Sequence, residues 1–294
     1  MTNGKLVISL DFEIYWGVRD AVKLEKYREH LLGVHTVIHR LLQIFDQYKI
    51  NATFATVGFL FFNNKEELLH NLPSRKPSYW NTDLSPYQGH FNSIGKDEEN
   101  DPFHFGAELI QQIHNAGQEI GSHTFSHYYC LEKGQTKEDF EEDLIAAKKI
   151  ANQRGVKLQS FVFPRNQYNK DYLDICREMG FTSFRGNEKS WLFSSKTQEN
   201  GTIFRRPFRL LDAYLNLSGH NCYSYAQMKK QRPFNIASSR FLRPYTKRLK
   251  YFEDLRLKRI IKSMTHAAKN GLTFHMWWHP HNFGTHVQEN FEFL

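Results

Sequence analysis

Short apolar runs rich in β-forming residues alternate along this chain with longer stretches whose apolar residues follow helical spacing. This alternation restricts the fold more than any other feature, because it is typical of βα units around a mostly parallel sheet. The runs that we predict as strands are residues 5–10, 52–57, 119–122, 160–163, 181–184 and 272–278. The sequence therefore predicts an α/β protein.

Capping signals predict where several of the intervening helices begin or end. Asp101 followed by Pro102 indicates an N-cap with proline at the first helical position, and this helix would end at Gly117. Thr136 with Asp139 resembles a capping box and predicts the start of another helix.

Two segments interrupt the alternation. Residues 63–100 are polar and rich in Pro, Asn and Ser, which is typical of a long loop insertion, and we expect them to lie over the site. Residues 205–262 carry dense positive charge and few strand signals. No internal repeat of fixed period is found. Since one α/β barrel can take up 294 residues, we predict a single domain over 1–294 with insertions near 63–100 and 205–262.

Composition excludes several classes of protein. Aromatic residues make up 15% of the chain, which excludes a disordered protein, and the longest apolar run, about 57–62, is too short to span a bilayer. The first residues lead directly into the first strand, so we expect a chain without an export signal, located in the cytoplasm. Three cysteines that lie far apart favour a reducing compartment and argue against a disulfide scaffold.

Two carboxylates follow the first predicted strand in the sequence Ser-Leu-Asp-Phe-Glu. Side chains two residues apart on a strand point to the same face, so Asp11 and Glu13 can converge on one site. The carboxyl end of a barrel strand is also where catalytic groups are normally found. The alternative interpretation is that both are solvated acids in a loop that begins after Leu10.

Three pairs of histidines are spaced four residues apart, and their surroundings differ. The pairs are His35 with His39, His123 with His127, and His275 with His279. The first pair lies in a helical segment away from any strand end. The third lies in a predicted strand, where four residues span roughly 13 Å, too far for one metal. The middle pair follows a predicted strand, and its imidazoles would share one face if the segment were helical, so we select it as a candidate metal site.

Two further strand ends carry residues suited to catalysis. Arg165, in Phe-Pro-Arg-Asn-Gln, could hold an ionised carboxylate by a bidentate pair and keep the pKa of that carboxylate low. The motif alone would favour a surface arginine. His279 precedes Pro280, which favours an extended conformation at the strand end, a suitable position for an acid–base histidine. We interpret His275, inside that strand, as a core histidine.

Together these motifs resemble those of the polysaccharide deacetylase family, the carbohydrate esterases with a NodB-type domain. The resemblance covers about residues 6–281, and the motifs follow the family's order. Its most specific element is His-Thr-Phe-Ser-His at 123–127, which is similar to the family's His-Ser/Thr-x-x-His metal motif. The resemblance implies a single distorted (β/α) barrel of about seven parallel strands, and metal-dependent hydrolysis of N-acetyl, or sometimes O-acetyl, groups on sugars.

The resemblance also implies a set of metal ligands. Glu13, His123 and His127 match the family's metal-binding residues, so we expect them to bind a divalent metal, Zn²⁺. The first motif departs from the commonest form, which has two adjacent aspartates, because Phe12 stands between Asp11 and Glu13. An acid-x-acid version occurs in atypical members, including small-amide hydrolases and lipid-linked sugar deformylases. The resemblance therefore predicts the type of reaction better than it predicts the substrate.

Three catalytic roles follow from the same resemblance. Asp11 matches the family's catalytic base, Arg165 the arginine that orients this base, and His279 the late histidine that acts as general acid. The expected reaction is removal of an acetyl or formyl group from the nitrogen of an amino sugar, in a polysaccharide or a lipid-linked glycan precursor.

Alternatives to this function remain open. A hydrolase of a small cyclic amide or ureide would use the same metal site. A non-haem iron oxygenase would share the two histidines and one carboxylate, but would leave the base, arginine and acid without roles. Four aromatic residues near the strand ends could stack on a sugar or be buried in the barrel. These residues are Tyr15, Trp16, Trp277 and Trp278.

Positive charge is concentrated near the C-terminal end. Lys and Arg total 39 against 31 acidic residues, and 240–262 alone hold nine basic residues against two acidic ones. The basic residues are Arg240, Arg243, Lys247, Arg248, Lys250, Arg256, Lys258, Arg259 and Lys262. They form either a solvated helix face or a landing surface for anionic lipid or an acidic glycan, placing the protein at the inner face of the membrane. A non-enzymatic polyanion-binding protein would leave the metal motif unexplained, and the absence of a zinc-knuckle or aromatic RNA motif argues against nucleic acid as a partner.

Overall fold

The computed structural model describes residues 3–194, 197 and 205–294. Its centre is a sheet of eight parallel strands, in agreement with the predicted α/β class. The strands are β1 (Lys5–Phe12), β2 (Thr53–Thr56), β3 (Glu119–Ser122), β4 (Ser160–Val162), β5 (Ser183–Arg185), β6 (Phe234–Asn235), β7 (Arg240–Phe241) and β8 (Thr273–Trp278). Their order in the sheet is β6-β5-β4-β3-β2-β1-β8-β7, so neighbours in sequence are mostly neighbours in space.

One short segment joins the two edges of the sheet. β6 pairs with β5 and β7 pairs with β8, and residues 236–239 connect β6 to β7. Along this connection the amides of Ile236 and Ser238 donate to carbonyls at the end of β5, and the amide of Ser239 donates to a carbonyl of β8. The segment closes the sheet into a distorted barrel. The structure has eight strands, compared with the expected seven or so, and two of them are the short strands β6 and β7 that flank this segment.

Ten α-helices surround the sheet in the described part of the chain. They are α1 (Leu24–Leu32), α2 (Val34–Tyr48), α3 (Lys65–His70), α4 (Ala107–Asn115), α5 (Lys137–Gln153), α6 (Leu173–Glu178), α7 (Arg205–Asp212), α8 (Tyr225–Met228), α9 (Glu253–Lys269) and α10 (Val287–Phe293). None of these described helices combines the length and the apolarity that a bilayer span requires.

The capping predictions have different outcomes. α5 begins at the predicted capping box, in which Thr136 and Asp139 exchange side-chain to backbone hydrogen bonds. The predicted helix start at Asp101 is wrong, because α4 begins at Ala107. The Asp101 carboxylate accepts hydrogen bonds from the amide of Gly95 and from a ring nitrogen of His104, and these bonds hold the chain in an irregular turn before the helix.

Residues 63–100 contain α3 and two 3-10 turns in an irregular path. Part of this segment packs against the chain that follows β3. The Tyr79 hydroxyl accepts a hydrogen bond from the amide of Tyr129 at 2.9 Å, and the Trp80 amide donates to the carbonyl of Lys133. The insertion therefore contacts the segment directly after the candidate ligand His127.

Candidate functional site

The carboxyl ends of β1 and β3 bring the three predicted metal ligands together. Glu13 follows β1 directly, and His123 and His127 follow β3. The Nε2 atoms of His123 and His127 lie 3.2 and 3.0 Å from the same Glu13 oxygen, Oε2. All three side chains are buried, and one ligand atom from each lies within 4.8 Å of the others.

The two histidines meet through a tight turn, whereas the sequence interpretation had assumed a helical turn. Thr124 and His127 have left-handed backbones, with φ of 64° and 59°. Such conformations cost on the order of 1–3 kcal/mol each and persist only with support. Asp143 of α5 gives this support, because its carboxylate accepts hydrogen bonds from the amides of Phe125 at 2.6 Å and Ser126 at 3.2 Å.

Hydrogen bonds on the far side of each imidazole fix its orientation. His123 Nδ1 lies 2.9 Å from the carbonyl oxygen of Val162, so it must donate. His127 Nδ1 lies 3.0 Å from the Tyr129 hydroxyl, which donates in turn to Asp20 at 3.2 Å. With the protons on Nδ1, both rings present an unprotonated Nε2 to the shared carboxylate.

This arrangement fits a divalent metal. Two nitrogen lone pairs and a carboxylate oxygen face one another at 3.0–3.2 Å, which is repulsive unless a cation lies among them. The buried Nε2 of His123 is not aligned for any hydrogen bond, and so remains an acceptor for a ligand. Two imidazoles and one carboxylate are also the three protein ligands of many catalytic zinc sites.

The ionisation states suit metal binding. Burial alone raises the pKa of Glu13, but the imidazoles of His279, His123 and His127 outweigh it and hold this pKa well below its usual range. Burial lowers the pKa of His127, although the adjacent Glu13 carboxylate, which favours the protonated ring, acts in the opposite direction. At neutral pH the site therefore offers an ionised carboxylate and a neutral imidazole.

Glycine is required beside the carboxylate ligand. A Cβ atom on Gly17 would lie 1.9 Å from Cδ of Glu13, so any larger residue there must displace the carboxylate. Gly58 likewise allows the histidine turn to approach closely, since a Cβ atom added to Gly58 would lie 2.7 Å from Cα of Phe125.

Asp11, near the end of β1, is held by an arginine that the sequence interpretation missed. Nη1 and Nη2 of Arg185 each donate to one Asp11 oxygen, both at 2.7 Å, and both side chains are buried. Burial alone would raise the pKa of Asp11, but Arg185 and the His123 imidazole keep it below its usual range. Asp11 is thus ionised and oriented by a bidentate pair.

Arg165 does not hold Asp11, so that expected pairing is corrected. Its Nη2 forms an ion pair with Asp20 at 2.5 Å, and its guanidinium lies over the Tyr129 ring. Arg165 contacts the groups behind His127 instead. Arg185 directly follows another predicted strand, so the strand-end argument that selected Arg165 applied to it equally.

His279 lies on the open side of the two carboxylates. Its Nε2 is 3.4 Å from Oε1 of Glu13 and 3.7 Å from Oδ2 of Asp11. The Asn282 amide donates to Nδ1 at 3.2 Å, and the carbonyl oxygen of this amide accepts from the Tyr27 hydroxyl. The neutral ring therefore carries its proton on Nε2, the nitrogen that faces the carboxylates.

The interpretation of His275 as a core histidine is confirmed. It is buried, its Nδ1 donates to the carbonyl oxygen of Ile236, and its Nε2 accepts from the Ser9 hydroxyl at 2.8 Å. Arg185 donates to the same hydroxyl at 3.0 Å. Burial and the nearby Arg185 lower the pKa of His275 to about 3, so it stays neutral beside the arginine.

One family model matches this chain. The sequence profile described as polysaccharide deacetylase matches residues 32–184, more than half of the chain, and includes both candidate histidine ligands. A search of curated proteins found no significant match.

A solved structure shares the fold at low sequence identity, and two further structures that align with this chain have TM-scores below 0.5. A polysaccharide deacetylase candidate from Mycobacterium smegmatis is 14% identical with a TM-score of 0.55, over 100% of this chain and 83% of that one. A CE4 family pseudoenzyme from Bacillus anthracis is 11% identical with a TM-score of 0.44, over 99% and 60% of the two chains. A family 4 carbohydrate esterase from Streptomyces lividans, in complex with acetate, is 12% identical with a TM-score of 0.34, over 65% and 68%.

Proposed function

The chain belongs to the polysaccharide deacetylase family, and from this premise we propose that it is a metal-dependent hydrolase of N-acylated amino sugars. The acyl group is acetyl or formyl, and the sugar is part of a polysaccharide or of a lipid-linked glycan precursor. The observation that carries the proposal is that Asp11 and His279 lie directly beside the buried cluster of Glu13, His123 and His127.

The cluster would hold one divalent metal, and Zn²⁺ suits its two nitrogens and one oxygen. When bound, such an ion polarises the acyl carbonyl and acidifies water. The protein must then supply a base for the attacking water and an acid for the departing amine.

Asp11 is suited to be the base. It is ionised, and the two hydrogen bonds from Arg185 fix both of its oxygens, so it accepts the proton of the attacking water without reorientation. His279 is suited to be the acid, because its Nε2 faces the same space and carries a proton. In the imidazolium form it gives the Nε2 proton to the amide nitrogen as the carbon–nitrogen bond breaks. The proton that Asp11 took from water then restores the imidazolium, so the products are a carboxylic acid and the free amino sugar.

The test of this function is release of acetate and formate from a panel of chito-oligomers and lipid-linked amino sugars. We expect release from at least one N-acylated sugar, loss of activity after dialysis against a chelator, and recovery on addition of Zn²⁺. The cyclic-ureide alternative is tested with hydantoin as substrate, whose ring opening is monitored by absorbance. Hydrolysis of hydantoin without acyl release from any sugar would replace the proposed function with that alternative.

The basic segment 240–262 is less exposed than the sequence suggests. Arg240, Arg256 and Arg259 are buried, and they pair with acidic groups of Asp212 and Glu253. The basic residues of the segment that remain exposed are Lys247, Arg248, Lys250, Lys258 and Lys262. Large apolar side chains are exposed among them, namely Tyr251, Phe252, Leu255, Leu257 and Ile261.

We propose that these exposed residues bind the anionic inner face of a membrane, where a lipid-linked substrate would be found. Each basic residue near such a surface contributes about 1 kcal/mol, so the protein should co-sediment with anionic vesicles at low salt and less at high salt. Replacing Lys250, Lys258 and Lys262 with glutamine should reduce recovery, whereas the same change at three exposed lysines elsewhere, Lys26, Lys49 and Lys149, should not. Equal recovery with neutral and anionic vesicles would leave the solvated helix face as the correct interpretation.

A further inference from the structure

A cavity of about 820 Å³ opens beside the candidate active site. His279 belongs to its lining, together with Trp277 and Phe241. The ring centroids of Trp277 and Phe241 lie 5.5 and 5.8 Å from that of His279. This volume is typical of sites that enclose a small ligand. A substrate with its acyl group at the metal cluster would extend past His279 into this cavity.

Buried donors in the cavity wall have no acceptor among the described residues. Arg240 is only 6% exposed, and its Nη1 donates to the carbonyl oxygen of Asp212, but its Nε and Nη2 make no hydrogen bond. The indole nitrogen of Trp277, which is 9% exposed, is also without a partner. A buried donor left in this state is destabilising, so acceptor oxygens of a ligand would stabilise the site.

The charge of the cavity is positive. Its lining contains five arginines and two carboxylates. The arginines are Arg165, Arg206, Arg209, Arg240 and Arg243, and the carboxylates are Glu188 and Asp212.

The two carboxylates do not balance these arginines. Asp212 is occupied by Arg240 and by the amide and hydroxyl of Ser218. Arg206 of α7 and Arg243 form no hydrogen bond or ion pair with their side chains to the part of the chain that is described. Their guanidinium groups remain available for an anion from outside.

We propose that this cavity binds an anionic group, a phosphate or a carboxylate, that is attached to the amino sugar substrate. The inference rests on the proposed function and narrows it to anionic amino sugars. Arg206 and Arg243 bind the anion, Arg240 and the Trp277 indole donate to its oxygens or to the sugar hydroxyls, and the Trp277 ring packs against the sugar. The guanidinium fork matches both phosphate and carboxylate oxygens.

Kinetics on three related sugars test the subsite. N-acetylglucosamine 1-phosphate carries a phosphate, N-acetylmuramic acid carries a carboxylate, and N-acetylglucosamine is neutral. We expect at least one anionic sugar to have a kcat/KM about tenfold or more above that of the neutral one, as charged hydrogen bonds allow. In the double variant Arg206→Gln/Arg243→Gln the ratio of kcat/KM for the anionic sugar to kcat/KM for the neutral sugar should fall towards one, because KM for the anionic sugar rises. In the charge-matched control Arg75→Gln/Arg177→Gln, whose arginines lie outside the cavity, it should persist. Comparing the two anionic sugars identifies the preferred group.

Calorimetric titration with inorganic pyrophosphate tests the same subsite without turnover. The metal is present in every variant, so its own contribution is common to all. We expect Kd to rise about tenfold in the Arg206/Arg243 double variant and to stay unchanged in the Arg75/Arg177 control. Equal Kd values in all three proteins would overturn the anionic subsite even if sugars are deacylated. Conversely, a shift in Kd without hydrolysis of any sugar would retain the subsite and reject the proposed function.

Discussion

His123→Ala and His127→Ala are each expected to lower the zinc content of the purified protein from about one atom per chain to background. Among the residues that the structure describes, three side chains form the cluster, and catalytic zinc sites rarely bind with fewer than three protein ligands. Both variants should also lose hydrolytic activity, because without the metal the acyl group is no longer polarised. Elemental analysis of each variant, together with circular dichroism to verify folding, measures the effect.

His35 and His39 give a matched control for this prediction. They have the same spacing and chemistry, but lie exposed on α2, so replacing either with alanine should leave the zinc content unchanged. Affinity for zinc should also fall as the pH drops towards 5, since protons compete for the imidazoles. Full retention of zinc in either His123→Ala or His127→Ala would rule out this metal site.

The strands were predictable from sequence where they are buried and continuous. The six apolar runs all overlap strands of the sheet, because a strand covered on both faces must be apolar along its length. β6 and β7 were missed because each has only two residues, too few for a periodic pattern. Their strand conformation comes from pairing with β5 and β8, which is a property of the closed barrel rather than of the local sequence.

The same distinction holds for the candidate site. Asp11, Glu13 and the two histidines of the 123–127 turn were predictable because each lies at or just after the end of a strand, and strand ends of one parallel sheet meet at one edge. The detailed path between them was not, since the turn depends on a buried carboxylate, Asp143, contributed by α5.

Long side chains were the least predictable part of the site. Arg165 and Arg185 both follow a strand predicted from sequence, and sequence spacing does not say which guanidinium reaches Asp11. That choice is made by Asp20, which binds Arg165 and turns it towards the back of His127.

Asp11→Asn is expected to keep the metal while lowering the rate of hydrolysis by about 10²–10⁴, the usual contribution of a general base. Asparagine has nearly the same shape but cannot accept the proton of water. Glu13→Gln should lose metal as well as activity, because the neutral amide is a poorer ligand. Zinc content and kcat/KM measured on both variants separate the two roles. Normal turnover by Asp11→Asn would show that another group is the base.

Arg185, the partner of Asp11, allows an independent test of the base through the pH dependence of kcat/KM. Asp11 acts as a base only when ionised, so the acid limb of kcat/KM follows its pKa, which Arg185 holds below the usual range. In Arg185→Met, burial remains and the compensating charge is lost, so this pKa and the acid limb should move up towards neutral pH. Activity relative to the native protein should then be lower at pH 5 than at pH 8. Removing one partner of a buried ion pair also costs about 3–5 kcal/mol of stability, so Arg185→Met is replaced by Arg185→Lys if it fails to fold. Arg185→Lys retains the positive charge, so the acid limb of this variant should stay near its position in the native protein. An unchanged acid limb in Arg185→Met would show that Asp11 is not the base, because Arg185 donates to both oxygens of this carboxylate.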